Sequence, residues 1–117
     1  MKRVLVLDDD QTIAELMRVV LEEAGFDVSV CVETALVPRG RFDCLVTDLM
    51  SVSVYSIEEA RHWLLSLADR FPGVPVIVVT AHPEARDDQK ALGAREVIIK
   101  PFDVEHIADS VGRAITS

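Results

Sequence analysis

The chain has 117 residues, of which half are apolar, and 12 Lys and Arg against 20 Asp and Glu leave a net charge of −8. That length builds one core with no room for a second folded unit, so a single domain over residues 1–117 with no output domain is expected, and the composition excludes disorder and collagen. The acidic balance and the lack of any Lys/Arg block argue against direct contact with nucleic acid or an anionic membrane.

The first strand reads over Val4 to Leu7, an uninterrupted apolar run of the kind buried on both faces of a parallel sheet, and it ends at Asp8-Asp9-Asp10. Only those four apolar residues follow Met1-Lys2-Arg3, so no secretory leader is read there. No run approaches the roughly 18 residues of a membrane span, and a cytoplasmic protein is expected. Ile13, Leu16, Met17, Val20 and Leu21 then share one helical face, and Gly25 supplies the stop. A second strand covers Val28 to Cys31, after which Glu33 to Val37 leaves room for little more than a turn of helix before Pro38.

Cys44 to Thr47 forms the third strand and delivers Asp48. Ile57, Ala60, Leu64, Leu67 and Ala68 mark a helix that ends before Pro72-Gly73, with Trp63 off its apolar face and expected to pack at a helix edge or a partner surface. Val76 to Val79 is the fourth strand, ending at Thr80; a helix from about Pro83 closes at Gly93. Val97 to Ile99 is the fifth strand, ending at Lys100-Pro101, and Val104, Ile107, Ala108, Val111 and Ile115 carry a last helix. Strands alternating with crossover segments predict an α/β fold, a doubly wound five-stranded parallel sheet. Cys31 and Cys44 lack C-x-x-C spacing and read as reduced core thiols. His62, His82 and His106 read as surface residues, and Met17 and Met50 carry no cofactor signal.

In an open parallel sheet the ligand site lies beyond the carboxyl ends of the strands. Asp8, Asp9, Asp10, Asp48, Thr80 and Lys100 all fall there. Two carboxylates about 4 Å apart repel by roughly 4 kcal/mol at an effective dielectric near 20, and Lys100 alone is too little to balance the cluster. A hard divalent cation with oxygen ligands, Mg²⁺ foremost, supplies the missing charge. An aspartate beside such an ion can attack phosphorus to give an acyl phosphate. Asp48 is placed as that nucleophile, with Lys100 and the Thr80 hydroxyl holding phosphoryl oxygens.

This constellation resembles the receiver domain of two-component response regulators over essentially the whole chain. The matching motifs are Asp8-Asp9 after Val-Leu-Val-Leu, Asp48 after Cys-Leu-Val-Thr, Thr80-Ala81 after Val-Ile-Val-Val, and Lys100-Pro101-Phe102 after Val-Ile-Ile. The resemblance implies the CheY-like strand order 2-1-3-4-5, and the short second helical segment departs from the family pattern. It implies a phosphoprotein in which Asp48 accepts phosphate from a sensor histidine kinase, a phosphotransfer protein or a small donor. Mg²⁺ would be held by Asp9, Asp48 and the Met50 carbonyl, with Asp8 acting through water; Lys100 would pair with the phosphate and Ala81 would leave room for it. Such a domain is a switch rather than a turnover enzyme, and a target or second copy would dock on the fourth helix, fifth strand and fifth helix.

Two further departures from the family pattern stand out. Leu49 to Ser56 contains neither Pro nor Gly, and Val97 occupies the switch position where the family usually has Tyr or Phe. They motivate an alternative, a pseudo-receiver interaction module not switched by phosphate. Another reading comes from the haloacid-dehalogenase-type phosphatases, whose opening motif fits Leu7-Asp8-Asp9-Asp10-Gln11-Thr12. It makes Asp8 the nucleophile and Asp10 the general acid, and leaves Asp48 without a role. A flavodoxin-like cofactor carrier is disfavoured because three aspartates after the first strand would expel a cofactor phosphate.

Overall fold

The computed structural model describes residues 1–50 and 52–116. Its elements run β1 (Arg3–Leu7), α1 (Gln11–Glu23), β2 (Asp27–Cys31), β3 (Cys44–Thr47), α2 (Ile57–Arg70), β4 (Val76–Thr80), α3 (Gln89–Leu92), β5 (Glu96–Ile99) and α4 (Val104–Thr116). The five strands form one parallel sheet in the order β2-β1-β3-β4-β5. Leu7 lies in register with Thr47 on one side and with Cys31 on the other. The chain therefore leaves β1 and β3 at the same height, which brings Asp8 and Asp48 out side by side.

Because successive side chains in a strand point to opposite faces, the continuous apolar runs feed two cores. Val4, Val6, Cys44, Val46, Ile77 and Val79 pack with α1 and α4. Leu5, Leu7, Leu45 and Val78 pack on the opposite face with Ala60, Leu64 and Leu67 of α2 and Leu92 of α3. Both cysteines are free and buried, as their apolar context predicts, and burial pushes the Cys44 thiol up to about 12. No helix among the described residues is long and apolar enough to cross a membrane.

Asp10 caps α1, its carboxylate accepting from the Thr12 and Ile13 amides at 3.0 and 3.2 Å, and Ser56 caps α2 through the Glu59 amide. The second crossover is only a 3-10 turn over Thr34–Leu36, as its short sequence allows. The stretch predicted as one helix from Pro83 to Gly93 is instead broken. A 3-10 turn spans Pro83–Arg86, Asp88 leaves the helical path at φ −100° and ψ 11°, and only Gln89–Leu92 is α-helical before Gly93 closes it at φ 70°. Adjacent aspartates compete with the helix for hydrogen bonds, and the Asp88 carboxylate is engaged by the Tyr55 hydroxyl at 2.6 Å. Leu16 and Ala68, assigned to apolar faces by spacing, are exposed. The buried line of α1 runs through Ala14, Met17 and Leu21, so Leu16 falls on a flank that the sheet does not reach.

Candidate functional site

The site is assembled from four strand ends. Beyond β1, the Asp8 amide donates to the Cys31 carbonyl at 3.1 Å, which turns the fully buried Asp8 side chain inward. Its Oδ1 accepts from the Asp10 amide at 2.9 Å and its Oδ2 from Lys100 Nζ at 2.9 Å. Beyond β3, the Asp48 amide donates to the Leu7 carbonyl at 2.8 Å, and Asp48 Oδ1 lies 3.5 Å from the same ammonium. Lys100 is held beyond β5 by its amide, which donates to the Thr80 carbonyl at 2.8 Å; its peptide bond to Pro101 is cis. One carboxylate oxygen each from Asp8, Asp9 and Asp48 lie within 4.8 Å of one another. A cavity of about 320 Å³ opens over them, lined in part by Asp9, Asp48, Ser53, Ala81, His82 and Lys100.

Burial, the largest influence on Asp48, raises its carboxyl above the ordinary carboxylate range; the Lys100 ammonium pulls it down, and Asp8 and Asp9 add to the rise. For Lys100, burial works against the charge, but the hydrogen bond to Asp8 and the charges of Asp48 and Asp8 outweigh it, so the ammonium is held above its usual value. Three carboxylates facing one firmly charged ammonium leave an excess of negative charge on a purely oxygen donor set. That combination fits a hard divalent cation of the Mg²⁺ type.

Other residues singled out in the sequence fall at varying distances from this centre. Ala81 lines the cavity, whereas Thr80 is fully buried and its Oγ1 accepts from the His82 amide at 3.1 Å, turned into its own loop. Met50 is buried, and Val97 sits in the core on the α2 side of the sheet. Asp10 is not part of the acid cluster; it is committed to the α1 cap. The phosphatase-type reading fails on these contacts, since its nucleophile Asp8 is buried under Lys100 and its acid Asp10 faces backbone amides. Asp48, which that reading leaves idle, faces the cavity.

His82 is a correction to the sequence reading. Expected in solvent, its ring is half-buried, with Nε2 3.0 Å from the Val52 carbonyl and the ring centroid 5.9 Å from that of Tyr55. Side chains thus anchor the loop that lacks Pro and Gly. Trp63, expected at a helix edge, donates its indole N–H to Thr47 Oγ1 at 2.9 Å, and Thr47 Oγ1 donates to the Asp48 carbonyl at 2.7 Å. His62 and His106 are exposed as expected, though His106 also meets Glu96 at 2.6 Å.

The family model of the response regulator receiver domain matches residues 4–112. This chain belongs to that family. Among curated relatives of this receiver domain, the DNA-binding dual master transcriptional regulator RpaA of Synechocystis sp. is 33% identical over 113 residues, covering 92% of the chain and 46% of the relative. The DNA-binding response regulator MtrA of Mycolicibacterium paratuberculosis is 33% identical over 116 residues, covering 94% of the chain and 49% of the relative. The receiver domain thus spans about half the length of these relatives. Among solved structures it resembles the response regulator TrrA of Thermotoga maritima in complex with Mg²⁺ and BeF. That match has 25% identity and a TM-score of 0.77, and covers 97% of this chain and 99% of the other.

Proposed function

We propose that this receiver domain is a phosphoacceptor switch in which Asp48 takes the phosphoryl group. The observation that carries the proposal is the contrast among its carboxylates: Asp8 is sealed beneath Lys100, Asp10 caps a helix, and Asp48 faces the cavity beside the same ammonium. The Asp48 carboxylate oxygen attacks the phosphorus of a phosphohistidine on a sensor kinase or phosphotransfer protein, or of a small acyl phosphate. The new O–P bond forms as the donor's N–P or O–P bond breaks, its electron pair leaving with the donor. Mg²⁺, held by Asp9, Asp48 and the Met50 carbonyl with Asp8 acting through water, would neutralise charge on the phosphoryl oxygens.

Lys100 sits where its ammonium reaches a phosphoryl oxygen, and the Ala81 methyl leaves space for the group. The Thr80 hydroxyl, once released from the His82 amide, hydrogen-bonds another oxygen. That displacement biases the segment from Pro83 to Leu92 together with β5 and α4, where a target or a second copy docks. Residues 1–117 act as one unit in the cytoplasm, a switch rather than a turnover enzyme, without contacting nucleic acid or membrane themselves.

Incubation with acetyl phosphate and Mg²⁺ should add one phosphoryl mass to the native chain and none to Asp48→Asn. Equal labelling of both, or labelling that ignores Mg²⁺, contradicts the proposal. A second reading is favoured by the buried aliphatic Val97: a domain that does not transmit phosphorylation. It predicts labelling without altered amide exchange in α3, β5 and α4.

A further inference from the structure

We propose that Trp63 and Thr47 form a relay that fixes the backbone of Asp48, making both positioning residues for phosphoryl acceptance; the inference rests on Asp48 being the acceptor. Thr47 is the last residue of β3, fully buried, and it is also the last to pair with β4, in register with Val78. The Asp48 carbonyl lies past that ladder and takes its hydrogen bond from the Thr47 hydroxyl at 2.7 Å. A hydroxyl has a single proton and rotates to suit its partners. Because the Trp63 indole N–H occupies a lone pair of Thr47 Oγ1 at 2.9 Å, the rotor is held in the orientation that donates to Asp48.

The two sides of the acceptor are then both tied. Its N–H is held by the Leu7 carbonyl on β1, and its C=O is held through Thr47 by a side chain of α2. The following loop, Leu49 to Ser56, has no Pro to stiffen it, so the direction of the Asp48 peptide depends on these side-chain bonds. Trp63 is itself packed against the core on the α2 side of the sheet, which makes it a fixed donor rather than a mobile surface group. The relay therefore joins the body of α2 to the atom that must aim at phosphorus. Misdirecting that carboxylate costs rate without removing the carboxylate or the ammonium.

The test compares Trp63→Phe, Thr47→Val, Thr47→Ser and the double variant Trp63→Phe/Thr47→Val with the native chain, with thermal unfolding recorded to show that each is folded. The first readout is the rate of phosphoryl uptake from acetyl phosphate at saturating Mg²⁺, followed by intact mass. The second is the single indole N–H resonance and the Asp48 carbonyl carbon shift in metal-free protein, which do not depend on turnover. Trp63→Phe and Thr47→Val should each slow uptake roughly tenfold, the scale on which residues supporting a site act. Their double variant should be no slower than Thr47→Val alone, and Thr47→Ser should stay near the native rate. The indole resonance should move on Thr47→Val, and the Asp48 carbonyl shift on either substitution. Native rates in both single variants overturn the relay, as do losses that multiply in the double variant or a Thr47→Ser variant as slow as Thr47→Val. A native chain that takes up no phosphoryl group overturns the Asp48 assignment itself, a result distinct from a labelled native chain with unaffected variants.

Discussion

Replacing Asp48 with Asn should stabilise the metal-free protein. Carboxylate oxygens of Asp8 and Asp9 lie within 4.8 Å of one on Asp48, and the Lys100 ammonium is 3.5 Å away. At an effective dielectric near 20, each repulsion is worth about 3.5 kcal/mol and the attraction about 4.7 kcal/mol, so two repulsions exceed one attraction by about 2 kcal/mol. Screening at the exposed Asp9 reduces that excess, while relief of the Asp48 burial cost adds to it, giving a gain of about 1–2 kcal/mol. For a domain of this size the midpoint should rise by about 4 °C per kcal/mol.

Calorimetry in EDTA and in Mg²⁺ measures the effect. A ligand at 100 times its dissociation constant adds about 2.7 kcal/mol to the state that binds it, so Mg²⁺ should stabilise the native chain by more than the variant and reverse their order. The pH dependence has a definite sign. Because the folded value of Asp48 lies above the ordinary 3.8, the folded state binds this proton more tightly than the unfolded chain. The Asp48 contribution in EDTA then falls as pH rises from 3.8 through the folded value, and Asp48→Asn lacks that decline. A variant less stable than the native chain in EDTA, or an equal response of both to Mg²⁺, would refute the charge argument.

Lys100→Met strips the fully buried Asp8 of its cation and should cost about 3 kcal/mol in urea unfolding at neutral pH; a change below about 0.5 kcal/mol would contradict the pairing. At Glu96, burial opposes ionisation, but hydrogen bonds from Ser110, His106 and Arg113 outweigh it and hold the carboxyl below 4.5. That stabilisation is present above pH 4.5 and lost as pH falls through the folded value, so Glu96→Gln should flatten this part of the acid-unfolding profile, measured by urea midpoints across pH. Cys44, buried with its thiol pushed up to about 12, should resist iodoacetamide in the folded protein and react only on unfolding; rapid alkylation under native conditions would contradict its placement.

The fold was largely legible because its strands are continuous apolar runs ending at polar residues, and a parallel sheet places all such ends on one rim. Asp8, Asp9, Asp48 and Lys100 were found by that rule, and the register of Leu7 with Thr47 brings Asp8 and Asp48 together. What escaped the sequence depends on contacts between distant residues. Tyr55 reaches Asp88 and His82 reaches Val52, 33 and 30 positions apart, with no local pattern announcing either. Trp63, read as lying off the face of Ala60, Leu64 and Leu67, instead packs against the same core, and its bond to the end of β3 is something periodicity does not encode. Asp87-Asp88 was an available warning that the Pro83 to Gly93 helix would break.

The most direct test is to locate the phosphoryl group. Borohydride reduction of protein treated with acetyl phosphate and Mg²⁺, followed by peptide mass mapping, converts an acyl phosphate into a stable alcohol at the residue that carried it. A reduced residue at Asp48 alone is the predicted result; reduction at Asp8, or at no carboxylate in a chain that gained phosphoryl mass, would contradict the account.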